Sequence, residues 1–144
     1  MPVATAPLRL PASHDAEFVA LLNGFRPSGG LARAEDLLAR LGFQPSGAEL
    51  QLARWIAHGN AVSIRWSHSH WLPLFQFKWP ELCLRPVLDQ VLAELRPVLT
   101  SWELAQWFCA PNAWLNDRVP ADLAAVHPAE VLNAARGDRF IFAS

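Results

Sequence analysis

The stretch ELAQWFCAPNAWLNDRVPADL, residues 103–123, constrains the fold more than any other. Its bulky apolar side chains need burial, yet Pro111 and Pro120 break any helix that runs through them. Pro111 stops a helix carrying Trp107. Asn112 is a cap for a single turn holding Trp114 and Leu115, and Asn116-Asp117 is a turn pair. Pro120 stands where a first helical residue belongs, opening a short helix with Leu123. His127-Pro128 repeats the device, and Glu130, Val131, Leu132 and Ala135 fall in a last helix closed by Gly137. The punctuation predicts a compact C-terminal bundle of three or four very short helices.

The rest of the chain supplies the core such a bundle needs. Leu84, Val87, Leu88, Val91, Leu92 and Leu95 recur at helical spacing, with Pro86 in the first turn and Pro97 at the end. Thr100 and Glu103 form a capping box for the next helix, which reaches about Cys109. We expect the Leu84–Leu95 stripe to pack against the Trp102–Phe108 helix. Cys83 and Cys109, the only cysteines, read as reduced core thiols in buried helix, with a single disulfide as the alternative.

Further upstream, residues 1–13 read as a flexible arm. A short helix from about Asp15 to Asn23 buries Phe18, Leu21 and Leu22, with Gly24 as its cap. Ser28-Gly29-Gly30 is a turn. Helix then fits from Arg33 to Leu41, closed by Gly42, and a second from Ser46 to His58, with Ser46 and Glu49 as a capping box. Such a pair forms a helix-turn-helix unit. Val62, Ile64 and Trp66 alternate with polar residues, and the sequence through Phe77 reads as the return strand of a hairpin turning at Ser67–Ser69, with Pro73 at a sheet edge. The fold expected is mainly α: a helix-turn-helix-like unit with a small β-hairpin over 14–79, then the helical bundle over 80–144.

Composition narrows function. The 144 residues are 52% hydrophobic and 17% charged, with a formal net charge of −1, so the basic excess of a dedicated nucleic-acid binder is missing. No apolar run approaches the roughly 20 residues of a membrane span, and the first residues do not read as a secretory signal. A cytoplasmic location follows as the expectation. His68 and His70 form an H-x-H in a turn with no third ligand nearby, which reads as a solvated turn. No Ser–His–Asp, Cys–His or paired-carboxylate arrangement has local support, and Gly29-Gly30 lacks the flanks of a phosphate loop. No enzyme, metal or cofactor is expected.

The ordered set Trp102, Trp107, Pro111, Asn112, Leu115, Asp117, Arg118, Pro120, Asp122, Leu123, Pro128, Val131 and Ala135 resembles the toxin-binding domain of Xre/MbcA/ParS-like antitoxins. The likeness covers about residues 75–140, and LPLFQF is similar to the YPAFQF junction of orphan members. The family often has Gly where this chain has Asn116-Asp117. The resemblance implies binding and neutralisation of a cognate RES-type toxin that consumes NAD, with homodimer formation and repression of the shared operon. It places toxin contacts at Trp114, Leu115, Asp117, Arg118, Arg139, Phe140, Phe142 and Ser144. Beyond Gly137, an extended tail would set Phe140 and Phe142 on one side with Arg139 as an anchor; the other reading folds both rings onto the bundle. Trp55, Trp102 and Trp107 read as core, and Trp114 as core or interface.

The N-terminal helix-turn-helix is degenerate. Its second helix offers Gln51, Arg54 and His58, with Ser46 at its start and Arg33 on the helix before it. A single permanent positive charge on the second helix is thin for base readout and phosphate anchoring. DNA binding by a transcriptional regulator is the alternative function, and weak or absent DNA affinity is the expected result.

Overall fold

The computed structural model describes residues 14–40 and 47–144, and it is mainly helical. Helix α1 spans Asp15–Phe25, and a 3-10 turn at Arg26–Ser28 leads to strand β1, Leu31–Arg33. Helices α2, Ala34–Ala39, and α3, Ala48–Ala57, follow. Strands β2, Ile64–Trp66, and β3, Ser69–Pro73, form the expected hairpin. Its two-residue turn places Ser67 and His68 at positive φ, the geometry that matches strand twist in tight hairpins.

The sheet has a third strand that the hydrophobic alternation did not announce. β1 pairs antiparallel with β3, so the order is β1-β3-β2 and β3 is central. Pro73 therefore closes the central strand opposite Leu31 instead of lying on an edge strand. The pairing of β3 with β2 ends at Trp71, so on that side Pro73 has no strand partner that its missing N–H would deprive. Residues Leu74–Gln76 then turn in 3-10 geometry, which ends the expected return strand before Phe77.

A second small pairing joins β4, Phe77–Lys78, to β5, Cys83–Leu84. Cys83 and Leu84 are thus strand, not the start of a helix. Helix α4 covers Val87–Leu95, with Pro86 at its N-cap, and α5 covers Ser101–Cys109. A 3-10 turn at Ala113–Leu115, helix α6 at Pro120–Leu123 and helix α7 at Pro128–Phe142 complete the chain.

The local stop and start signals hold at most boundaries. The Thr100 side chain accepts from Glu103 N at 3.2 Å, and Glu103 Oε1 accepts from Thr100 N at 2.8 Å. Thr100→Ala is expected to cost about 1 kcal/mol in urea unfolding. Asn112 Oδ1 accepts from Trp114 N, and Asn116 and Asp117 adopt positive φ. At α3 the N-cap is Gly47, at positive φ and without a side-chain cap; Ser46, Leu41 and Gly42 lie outside the described residues. The start of α2 is Ala34, because Arg33 belongs to β1.

Two glycines expected to end helices lie inside them. Gly24 sits in α1 because a Cβ there would fall 2.8 Å from Cys109 Sγ on α5. Gly137 sits in α7, which continues for five more residues to Phe142. A Cβ at Gly137 would fall 2.5 Å from Cε2 of Trp114, so both glycines answer a close neighbour rather than a turn.

The sheet separates two buried clusters. Ile64 faces the larger one, together with Trp66, Trp71 and Leu31 at its margin. That cluster also holds Phe18, Leu21 and Phe25 of α1, the stripe Leu88, Val91, Leu92 and Leu95, and Leu104, Phe108, Leu115, Val131 and Ala135. Residues from 14–79 and from 80–144 fill it together, so those segments share one core. Ala32, Leu37, Leu52, Leu72, Leu74 and Phe77 make the smaller cluster, with α2 and α3 over the opposite face. The α4 stripe packs mainly on α7, not on α5; α5 lies against α1, α6 and β2. Among the described residues no helix is long and apolar enough to cross a membrane.

Candidate functional site

The Asn112–Arg118 turn projects from the end of α5 and is closed by a backbone bridge between Asn112 and Arg118. Asn112 N donates to Arg118 O at 3.0 Å, and Asp117 N donates to Asn112 O at 2.9 Å. Leu115 is 2% exposed and plugs the turn into the larger core. It anchors the turn and offers no contact surface, unlike the sequence-based assignment.

One carboxylate then fixes the turn to α7. Asp138 Oδ2 accepts from Trp107 Nε1 at 2.7 Å and from Asn112 Nδ2 at 2.9 Å. Asp138 Oδ1 accepts from Trp114 Nε1 at 3.0 Å. A buried tryptophan, a buried asparagine and an exposed tryptophan are therefore held by one side chain. Both buried donors need an acceptor, since an unpaired buried N–H costs about 1–3 kcal/mol. The sequence reading gave Asn112 its capping role but missed Asp138. The signal was present: a lone Asp beside a glycine, in the helix that follows two tryptophans.

Trp114 remains 56% exposed although its indole is tied down. Ile141 lies four residues beyond Gly137 and Phe140 three, so both flank the point where the Trp114 ring crosses α7. They are 53% and 78% exposed. Trp114, Ile141 and Phe140 are thus exposed apolar side chains carried by the turn and by the α7 face that the ring crosses. Phe142, also exposed, follows the line of Val131 and Ala135 past the end of the core, a different side of α7 from Phe140. The extended tail expected after Gly137 does not exist: residues 138–142 are helical, which sends the two Phe rings apart.

Of the other predicted contact residues, Asp117 and Arg118 share the turn with Trp114, and Arg139 and Ser144 lie in α7 or just beyond it. Arg118 donates through Nε to Leu115 O and through Nη2 to Glu130 Oε1 at 3.1 Å. Asp117 is exposed in the turn. Arg139 pairs with Glu94 of α4 at 3.0 Å, beside Arg136, so it serves the α4–α7 seam. Ser144 Oγ donates to Phe140 O at the chain end.

Over the smaller cluster, Gln51 and Arg54 on α3 and His58 at its C-cap are exposed. Arg33 stands apart from them, its guanidinium committed to Asp36 at 2.9 and 3.2 Å. That pairing raises the Arg33 pKa and lowers that of Asp36, through the hydrogen bonds between them. Arg96 donates to Gly59 O and Ala61 O, tying the end of α4 to the segment after α3; burial lowers its pKa.

Neither cysteine is in a disulfide. Burial pushes the Cys109 thiol up to about 11, so it stays protonated and non-nucleophilic at neutral pH. Among the described residues no group of three or more His, Cys, Asp or Glu side chains is placed to hold a metal ion.

No family model, curated protein or solved structure matches the chain.

Proposed function

We propose that this chain is a protein-binding antitoxin, engaging and neutralising a RES-type NAD-consuming toxin through the surface around Trp114. The observation that carries the reading is the exposed Trp114 ring, held by a hydrogen bond to Asp138, with Ile141 and Phe140 exposed on the helix face it crosses. A large exposed aromatic held in one pose loses little entropy on docking, which is what interface hot spots require. The sequence likeness to the toxin-binding domain of Xre/MbcA/ParS-like antitoxins supports the same surface, since its Pro-Asn element opens this turn and its Pro-x-Asp-Leu element forms α6 directly after it. In this reading the protein is a cytoplasmic, non-catalytic homodimer.

DNA-binding regulation has less support. Arg54 is the only permanent cation on the exposed face of α3, and Glu49 stands on the same helix. Gel shifts with the chain's own upstream region are expected to show no nanomolar binding at physiological salt.

The direct test is expression of the neighbouring reading frame, alone and together with this chain. Growth arrest with loss of cellular NAD when expressed alone, and rescue by co-expression, is the expected outcome. A harmless neighbour, or no rescue by a soluble chain, contradicts the proposal.

A further inference from the structure

The Trp114 indole offers a partner its ring and not its N–H. Nε1 already donates to Asp138, and one part of the ring lies against Gly137 with no room for a methyl group. What remains free is an outer π-face. Asp138 gives that face a particular character. It forms no ion pair among the described residues, and its three hydrogen-bond donors are two indoles and an amide, all neutral. Asp117, in the same turn, also forms no ion pair among the described residues. Of the nearby cations, Arg118 pairs with Glu130 while Arg136 and Arg139 share Glu94, so the two aspartates face one surplus positive charge and leave the site net negative. A carboxylate that accepts from an indole N–H enriches the ring in electron density, and indole is the best ring for cation–π contact.

We infer that the partner docks through an arginine laid on the outer face of Trp114, flanked by apolar groups covering Ile141 and Phe140. The guanidinium suits this place because it is planar, weakly hydrated and stacks on aromatic faces. Apolar neighbours on the partner fit the two exposed side chains beside it. The inference deepens the antitoxin reading and rests on Trp114 as the docking point.

The test uses the full chain and two peptides, acetyl-Leu-Arg-Leu-amide and the same peptide with citrulline in place of arginine. Citrulline keeps the shape and removes the charge. Titrations are followed by the tryptophan indole N–H signals in nitrogen-15 NMR, with the Trp114 signal assigned from Trp114→Phe. The arginine peptide is expected to shift the Trp114 signal at millimolar concentration and to bind about fivefold more tightly than the citrulline peptide. Trp114→Ala abolishes the difference. Equal affinity for the two peptides, or no shift of the Trp114 signal by either, overturns the inference. The parent reading fails separately: a toxin bound equally well by Trp114→Ala removes Trp114 as the docking point, whatever the peptides do.

Discussion

Gln76→Leu is expected to lower the unfolding free energy by about 3–5 kcal/mol, among the largest effects of any single substitution in this chain. Gln76 is fully buried, and its amide behaves as a piece of sheet backbone. Oε1 accepts from Val62 N at 2.8 Å, while Nε2 donates to Val62 O at 2.9 Å and to Pro73 O at 3.0 Å. Leucine has a similar volume but leaves the Val62 N–H and two carbonyls without their present partners in a buried site. Each orphan costs about 1–3 kcal/mol, and the backbone groups cannot be removed in compensation. Urea unfolding with an unchanged m-value checks this; a loss below about 1 kcal/mol would show that Val62 finds other partners.

Leu88→Ala is expected to cost about 2–5 kcal/mol, from lost burial plus the cavity left behind. Leu88 is 1% exposed on the α4 face that packs against α7. The Glu94 pairs with Arg136 and Arg139 border the same seam but are solvent-accessible, so they contribute much less. Because α7 carries Asp138, loosening this seam should also free the Trp114 indole. Wild-type melting of Leu88→Ala would contradict the placement of α4.

What could be read from the sequence was local. Thr100 with Glu103, Asn112, Asn116-Asp117, Pro120 and Pro128 each act within a few residues of themselves, and each marks the boundary it signalled. What stayed hidden depends on partners distant in sequence. β1 is three residues long and exists because β3 pairs with it. Cys83 and Leu84 are drawn into strand by Lys78 and Phe77, against a helical period that begins at Val87. Gly137 reads as a helix end on its own, and only the Trp114 ring across it shows why α7 continues. The same helix continuation turned an apparent tail into a platform and moved the site from Phe140 and Phe142 together to Trp114, Ile141 and Phe140.

Asp138 also changes what a truncation means. Removing residues 138–144 takes away the acceptor for Trp107, Asn112 and Trp114, so lost binding by that variant would not separate contact from folding. A point substitution on the exposed ring does separate them. Trp114→Ala removes one partly exposed hydrogen bond and the ring's packing on Gly137, but leaves Leu115, Asn112 and Asp138, which seat the turn, in place. The decisive measurement is the calorimetric affinity of wild-type and Trp114→Ala proteins for the purified neighbouring gene product, with melting temperatures recorded for both. A central aromatic hot spot is worth at least about 2 kcal/mol, so about thirtyfold weaker binding with little change in melting is expected. Binding within twofold of wild type, by a variant that melts normally, would contradict the assignment of Trp114 as the docking point.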